Sequence, residues 1–188
     1  MIFVNKTGSK RIEILANKAN KLIRSEEFIA EMAKIEKFNP AYTSQGVDGK
    51  YIARKLLEIE SKIEIYLYTS KNPFTSANGY TVDNGKPQVF LNTRKLNRSD
   101  ASIVATLIHE AVHEADFRDL LDFHHGDNRP KGGTAPELAA EVAYKIEAGG
   151  IDSDVDSSVI NESNSGYYCY RSWSSLWIKR CYRKNIVA

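Results

Sequence analysis

Two imidazoles four residues apart, with a carboxylate beside the first, are the groups in this sequence best placed for chemistry. They are His109-Glu110-Ala111-Val112-His113. On an α-helix, residues i and i+4 stand one above the other on the same face. Imidazoles so placed can close on one tetrahedral Zn2+ ion, with each ring nitrogen about 2.0–2.1 Å from the metal. Glu110 lies off the line of the two rings. It is spaced to hold a water at the metal and take its proton, rather than to bind the metal itself. The competing reading is two half-buried core histidines with an exposed glutamate between them.

A catalytic zinc site needs a third protein ligand, and the sequence offers several. Glu141 comes first: it is a carboxylate in a helical stretch otherwise lined by Leu138, Ala139, Val142, Ala143 and Ile146. Glu137, one turn earlier, is the rival. It also fits a capping box with Thr134 as N-cap, which would give it a structural task. His125 and Asp127 lie in the polar, Gly-rich run His124 to Gly133, where the chain can fold back over the metal. Asp119 follows His113 by six residues and is the weakest candidate, because the helical pattern runs on through it. Asp116, three residues after His113, is placed to accept the outer N–H of a ligand histidine and fix its tautomer. Tyr144, His124, His125 and Tyr167 are candidate donors to a developing oxyanion.

These groups need rigid elements to hold them. From Ser99 to Phe123 the spacing of Ile103, Leu107, Ile108, Val112, Phe117, Leu120 and Leu121 predicts a helix with one apolar stripe, N-capped by Ser99. Thr134 to Glu147 predicts a second helix, stopped by Gly149-Gly150. Upstream, Ile2 to Asn5 is a short strand, and Arg11 to Phe38 is helical with a break signalled at Ser25-Glu26-Glu27. Tyr51 to Ile59 is a further helix. Ile63 to Tyr68, Tyr80 to Val82 and Gln88 to Asn92 alternate as strands, with a hairpin turn at Asp83-Asn84-Gly85. The expectation is a small antiparallel sheet just before the metal helix. Its edge, taken here as Val89 to Asn92, would be free to accept an extended peptide as a further strand. Asp152, Asp154 and Asp156 lack the glycine of a calcium loop and read as a solvated linker.

At 188 residues, 42% of them hydrophobic and 27% charged, the chain reads as one globular domain. Its parts are a helical segment 1–60, a sheet segment 62–93, the metal helices 99–148 and an aromatic, basic segment 166–188. A net charge of +2 is too small to argue for nucleic acid or a membrane surface as partner. The aromatic and cationic residues of the last segment are expected to pack on the core. No apolar run reaches membrane-spanning length, and no signal-peptide core is apparent. The chain is therefore expected in the cytoplasm, or delivered into a target cell by a specialised secretion system. Cys169 and Cys181 could pair, but two cysteines do not make a disulfide framework, and the expectation is free buried thiols.

The stretches LIHEAVHEADF, HHGDN and TAPELAAEVAYKIE together resemble zinc metallopeptidases of the HExxH, or zincin, class. The extra glutamate on a following helix is similar to the gluzincin branch. More narrowly, the run from Val89 to Glu147 resembles compact metallopeptidase domains of bacterial secreted toxins and effectors. The resemblance implies an α+β zincin-like fold, with a sheet packed on the HExxH helix and further helices around it. It implies that His109 and His113 bind zinc and that Glu110 is the catalytic acid/base. It implies a protein or peptide substrate, and an immunity or carrier protein as accessory partner. The usual gluzincin segment N-E-x-x-S-D is missing, so the third ligand stays open among those named. Two other functions fit the same residues: a zinc-stabilised binding module without catalysis, and a zinc amidohydrolase acting on cell wall.

Overall fold

The structure is a computed structural model and describes residues 1–36, 47–58, 60, 62–74, 77–83, 86–119, 134–149, 167–171 and 179–183. It is an α+β fold. In chain order the elements are β1 (Ile2–Asn5), α1 (Lys10–Leu22), α2 (Glu26–Ala33), α3 (Gly49–Glu58), β2 (Lys62–Tyr68), β3 (Gly79–Asp83) and β4 (Pro87–Asn92). There follow α4 (Asp100–Asp119), α5 (Ala135–Glu147), β5 (Tyr167–Arg171) and β6 (Lys179–Arg183). The expected ends of the first helical run near Asn39-Pro40, residues 84–85 of the hairpin turn, and the Asp152 to Asp156 linker lie outside the described residues.

The helices begin where short polar side chains can hold their first N–H groups. Ser9 accepts from the N–H of Ile12, and Ser25 from that of Phe28 at 3.1 Å. Ser25 also donates its hydroxyl to the carbonyl of Leu22 at 2.8 Å. One serine thus closes α1 and opens α2, which is why the long helical run divides at the expected place. Ser99 accepts from the N–H of Ser102 at 3.2 Å and caps α4 as its position predicted. Arg11 on α1 then ties the two helices together. Its guanidinium donates to Asp100 Oδ1 at 2.9 Å and to the carbonyl of Arg98 at 2.9 Å.

The main sheet has the order β1-β2-β4-β3. β1 pairs with β2, and β2 with β4, in parallel, while β3 runs antiparallel to β4. The sheet is therefore mixed, not antiparallel as expected. Between β1 and β2 the chain passes through three helices, a crossover long enough to return in the same direction. Only the short β3–β4 connection makes the expected hairpin. The edge also moves. β4 lies inside the sheet, between β2 and β3, and β3 is the edge strand nearest the histidine motif.

Ile63, Ile65, Val89 and Leu91 alternate onto one face and are fully buried there. The other face carries a row of half-buried rings. Tyr66 stacks on Phe90 at 5.4 Å between centroids, Tyr80 stacks on Phe90 at 4.9 Å, and Tyr68 meets Tyr80 edge-on at 4.9 Å. On that face the hydroxyl of Tyr66 donates to Glu64 at 2.7 Å and, aided by Lys6, holds its carboxyl below the ordinary range.

The core joins the buried sheet face to α1, α2, α3 and α5, with α4 in the middle. Every residue of α4 from Ala101 to Val112 is buried. The expected stripe is accordingly a helix packed all round, with α1, α3 and α5 against it as well as β3 and β4. Among the described residues no helix is long and apolar enough to cross a membrane. β5 and β6 pair with each other as a two-stranded antiparallel sheet.

Candidate functional site

The histidines of α4 come together as their spacing requires. His109 Nε2 and His113 Nε2 stand 3.3 Å apart, and the ring centroids are 4.9 Å apart at an interplanar angle of 67°. Two ligands about 2.0–2.1 Å from one tetrahedral centre are separated by roughly 3.3–3.4 Å, the edge of the tetrahedron. The two nitrogens therefore fit adjacent corners of a tetrahedral zinc. The same distance also suits an N–H···N hydrogen bond between the rings when no cation lies between them. His109 is only 2% exposed, while His113 is half-buried and opens the pair to one side.

Glu110 is 4% exposed. Its Oε2 accepts from the hydroxyl of Thr81 at 2.5 Å, and the same hydroxyl lies 3.3 Å from the Glu110 carbonyl oxygen. Thr81 sits on the edge strand β3, opposite Val89 of β4, on the face that packs against α4. The close approach of strand and helix is made at Gly79, where an added Cβ would stand 3.0 Å from the Phe90 carbonyl oxygen and 3.4 Å from Thr106 Cγ2. The sheet thus places one hydroxyl on the carboxylate that the motif singles out. Sequence reasoning missed Thr81. Its only signal is the alternation of Tyr80-Thr81-Val82, which says that Thr81 shares a face with Gly79 but not what lies opposite.

Glu114 was missed as well. It is fully buried on α4, one turn beyond Glu110 and next to His113 in the chain. The available signal is its spacing of four from Glu110, which puts both carboxylates along one line of the helix.

The α5 carboxylates have partners of their own. Glu137 is 7% exposed and accepts the backbone N–H of Thr134 at 3.1 Å, the task its position in the capping box implies. Glu141, the preferred third ligand, is half-buried and pairs with Lys145 one turn on, at 2.8 Å. Tyr144 is half-buried against the core. Among the described residues no set of three or more His, Cys, Asp or Glu side chains gathers as a metal site. The structure brings His109 and His113 together and does not add Glu137 or Glu141 to them. His124, His125 and Asp127, and the side chains of Asp116, Asp119 and Tyr167, lie outside the described residues. No family model, curated protein or solved structure matches this chain.

Proposed function

We propose that this chain is a zinc-dependent peptidase of zincin type, a hydrolase whose metal is held by His109 and His113. The observation that carries the reading is the 3.3 Å spacing of their Nε2 atoms on a helix that also bears Glu110. Glu141 is the preferred third ligand, with Glu137, His125 and Asp127 as alternatives, and Asp116 orients a ligand ring. When bound, zinc would polarise the scissile carbonyl and lower the pKa of a water beside it. Glu110 accepts a proton from that attacking water and returns it to the leaving amine. Thr81 holds one oxygen of the Glu110 carboxylate and so fixes where the other points. β3, at the edge of the sheet among the described residues, would offer backbone N–H and C=O groups to an extended protein or peptide substrate. Service as a secreted bacterial effector or toxin, with an immunity or carrier protein, extends the same reading.

The test is Glu110→Gln, which keeps the shape of the side chain and removes the base. Zinc content by elemental analysis should stay at the wild-type level, while kcat on peptides cleaved by the wild type falls about 10²–10⁴-fold. Equal rates for the two proteins would end the proposal.

A second reading rests on the burial of His109 and Glu110. A zinc ion that ties α4 to a neighbouring segment, with no turnover, would make the chain a metal-stabilised binding module. Zinc bound at one per chain, together with no cleavage in a proteome-wide peptide survey, would select it.

A further inference from the structure

The sequence contains two cysteines, Cys169 and Cys181. The β5–β6 register sets them directly opposite each other, on one rung between Tyr168–Tyr182 and Tyr170–Arg180. Register-opposed residues of an antiparallel pair have Cα atoms about 4.5–5.5 Å apart. A disulfide spans Cα separations of about 4.4–6.8 Å. A slip of one residue would put the two cysteines on opposite faces of the ribbon and beyond reach of one another. Both of the chain's cysteines therefore fall on one rung, where the ordinary spacing of paired backbones lies within the Cα range of a disulfide.

The ribbon gives such a bond something to do. β5 and β6 are five residues each and form a sheet of two strands. A two-stranded ribbon is marginal in water unless it is packed or cross-linked. We infer that Cys169 and Cys181 form a disulfide across β5 and β6, replacing the free thiols expected from composition. The inference does not depend on the peptidase reading.

The chemistry is thiol–disulfide exchange with a small-molecule disulfide such as oxidised glutathione. One cysteine thiolate attacks the glutathione disulfide, its S–S bond breaks, and one glutathione leaves as thiolate. The second cysteine thiolate then attacks the mixed disulfide and releases the other glutathione. Two protein thiols are oxidised, one glutathione disulfide is reduced to two thiols, and the two cysteine protons end on them. A bond of this kind persists in oxidising surroundings. It suits a chain that acts, or passes, outside a reducing cytosol.

The full-length chain is equilibrated in glutathione buffers from fully reduced to fully oxidised, quenched with N-ethylmaleimide and weighed intact. At the oxidising end the wild type should be lighter than the reduced chain by two hydrogens and carry no adduct. An unreduced digest should contain one linked peptide pair holding Cys169 and Cys181. The off-register variant Cys181→Ser with Tyr182→Cys should instead take two adducts. Two adducts on the oxidised wild type, a bond found only between separate chains, or equally ready closure in the off-register variant would each overturn the inference.

Discussion

At the scale of single residues, the candidate site rests on the paired rings of His109 and His113 and on the buried carboxylate of Glu110, which follows His109 in the chain. The imidazoles can meet because four residues of helix stack them on one face, and the torsions of the two side chains bring their Nε2 atoms to 3.3 Å. Glu110 needs help from another element, and Thr81 supplies it through a single hydroxyl. On the proposed peptidase reading, removing that hydroxyl with Thr81→Val should lower kcat about tenfold, the loss from a carboxylate no longer held in one orientation. KM should change little, and Thr81→Ser should restore most of the rate. A steady-state comparison of the three proteins on one peptide reads both constants. A rise in KM at constant kcat would assign Thr81 to substrate binding instead. The motif itself was legible in the sequence, since it is a local pattern. Thr81 was not, because it lies 29 positions before Glu110 and reaches it only through the register of β3 on β4.

At the scale of elements, α5 carries two acids with different surroundings. Glu137 caps the helix at Thr134, so Glu137→Ala should cost about 1 kcal/mol of stability by chemical denaturation. Glu141 pairs with Lys145 at the half-buried helix surface, a contact of the kind that contributes about 0.3–0.5 kcal/mol. If Glu141 is the third ligand, Glu141→Ala should therefore leave stability of the metal-free protein nearly unchanged and weaken zinc binding at least about tenfold. Zinc titration calorimetry on both variants separates the two roles. Zinc affinity lost in Glu137→Ala alone would transfer ligation to Glu137. A further element contact is tighter still. An added Cβ at Gly49, at the start of α3, would stand 1.9 Å from the carbonyl oxygen of Met32 on α2. Gly49→Ala should thus push α2 and α3 apart and cost about 1–3 kcal/mol, read as a lower Tm. The helices were legible because serine caps and apolar spacing are written locally. The capping task of Glu137 was legible for the same reason, and the pairing of Glu141 with Lys145 follows the equally local i,i+4 spacing.

At the scale of the whole molecule, a metal held by α4 would bind the native chain and not the unfolded one. Saturating zinc should then stabilise the protein by about 4 kcal/mol at a thousandfold excess over Kd, and a chelator should lower Tm reversibly. Calorimetry of wild type and His109→Ala, each with and without zinc, checks this without reference to activity. An unchanged Tm on chelation of zinc-loaded wild type would argue against metal at these histidines. The sequence by itself determined the α+β class, the capped helices, the four strands of the main sheet and the histidine pair, because periodicity, capping and i,i+4 spacing act within a few residues; it did not foresee β5 and β6. Tertiary structure alone decided that the sheet is mixed, that β3 and not β4 is its edge, that α4 is buried all round from Ala101 to Val112, and that Thr81 meets Glu110. It also set Cys169 opposite Cys181. Each of these depends on which segments become neighbours after chain reversals, and a local pattern of residue types carries no register between distant strands.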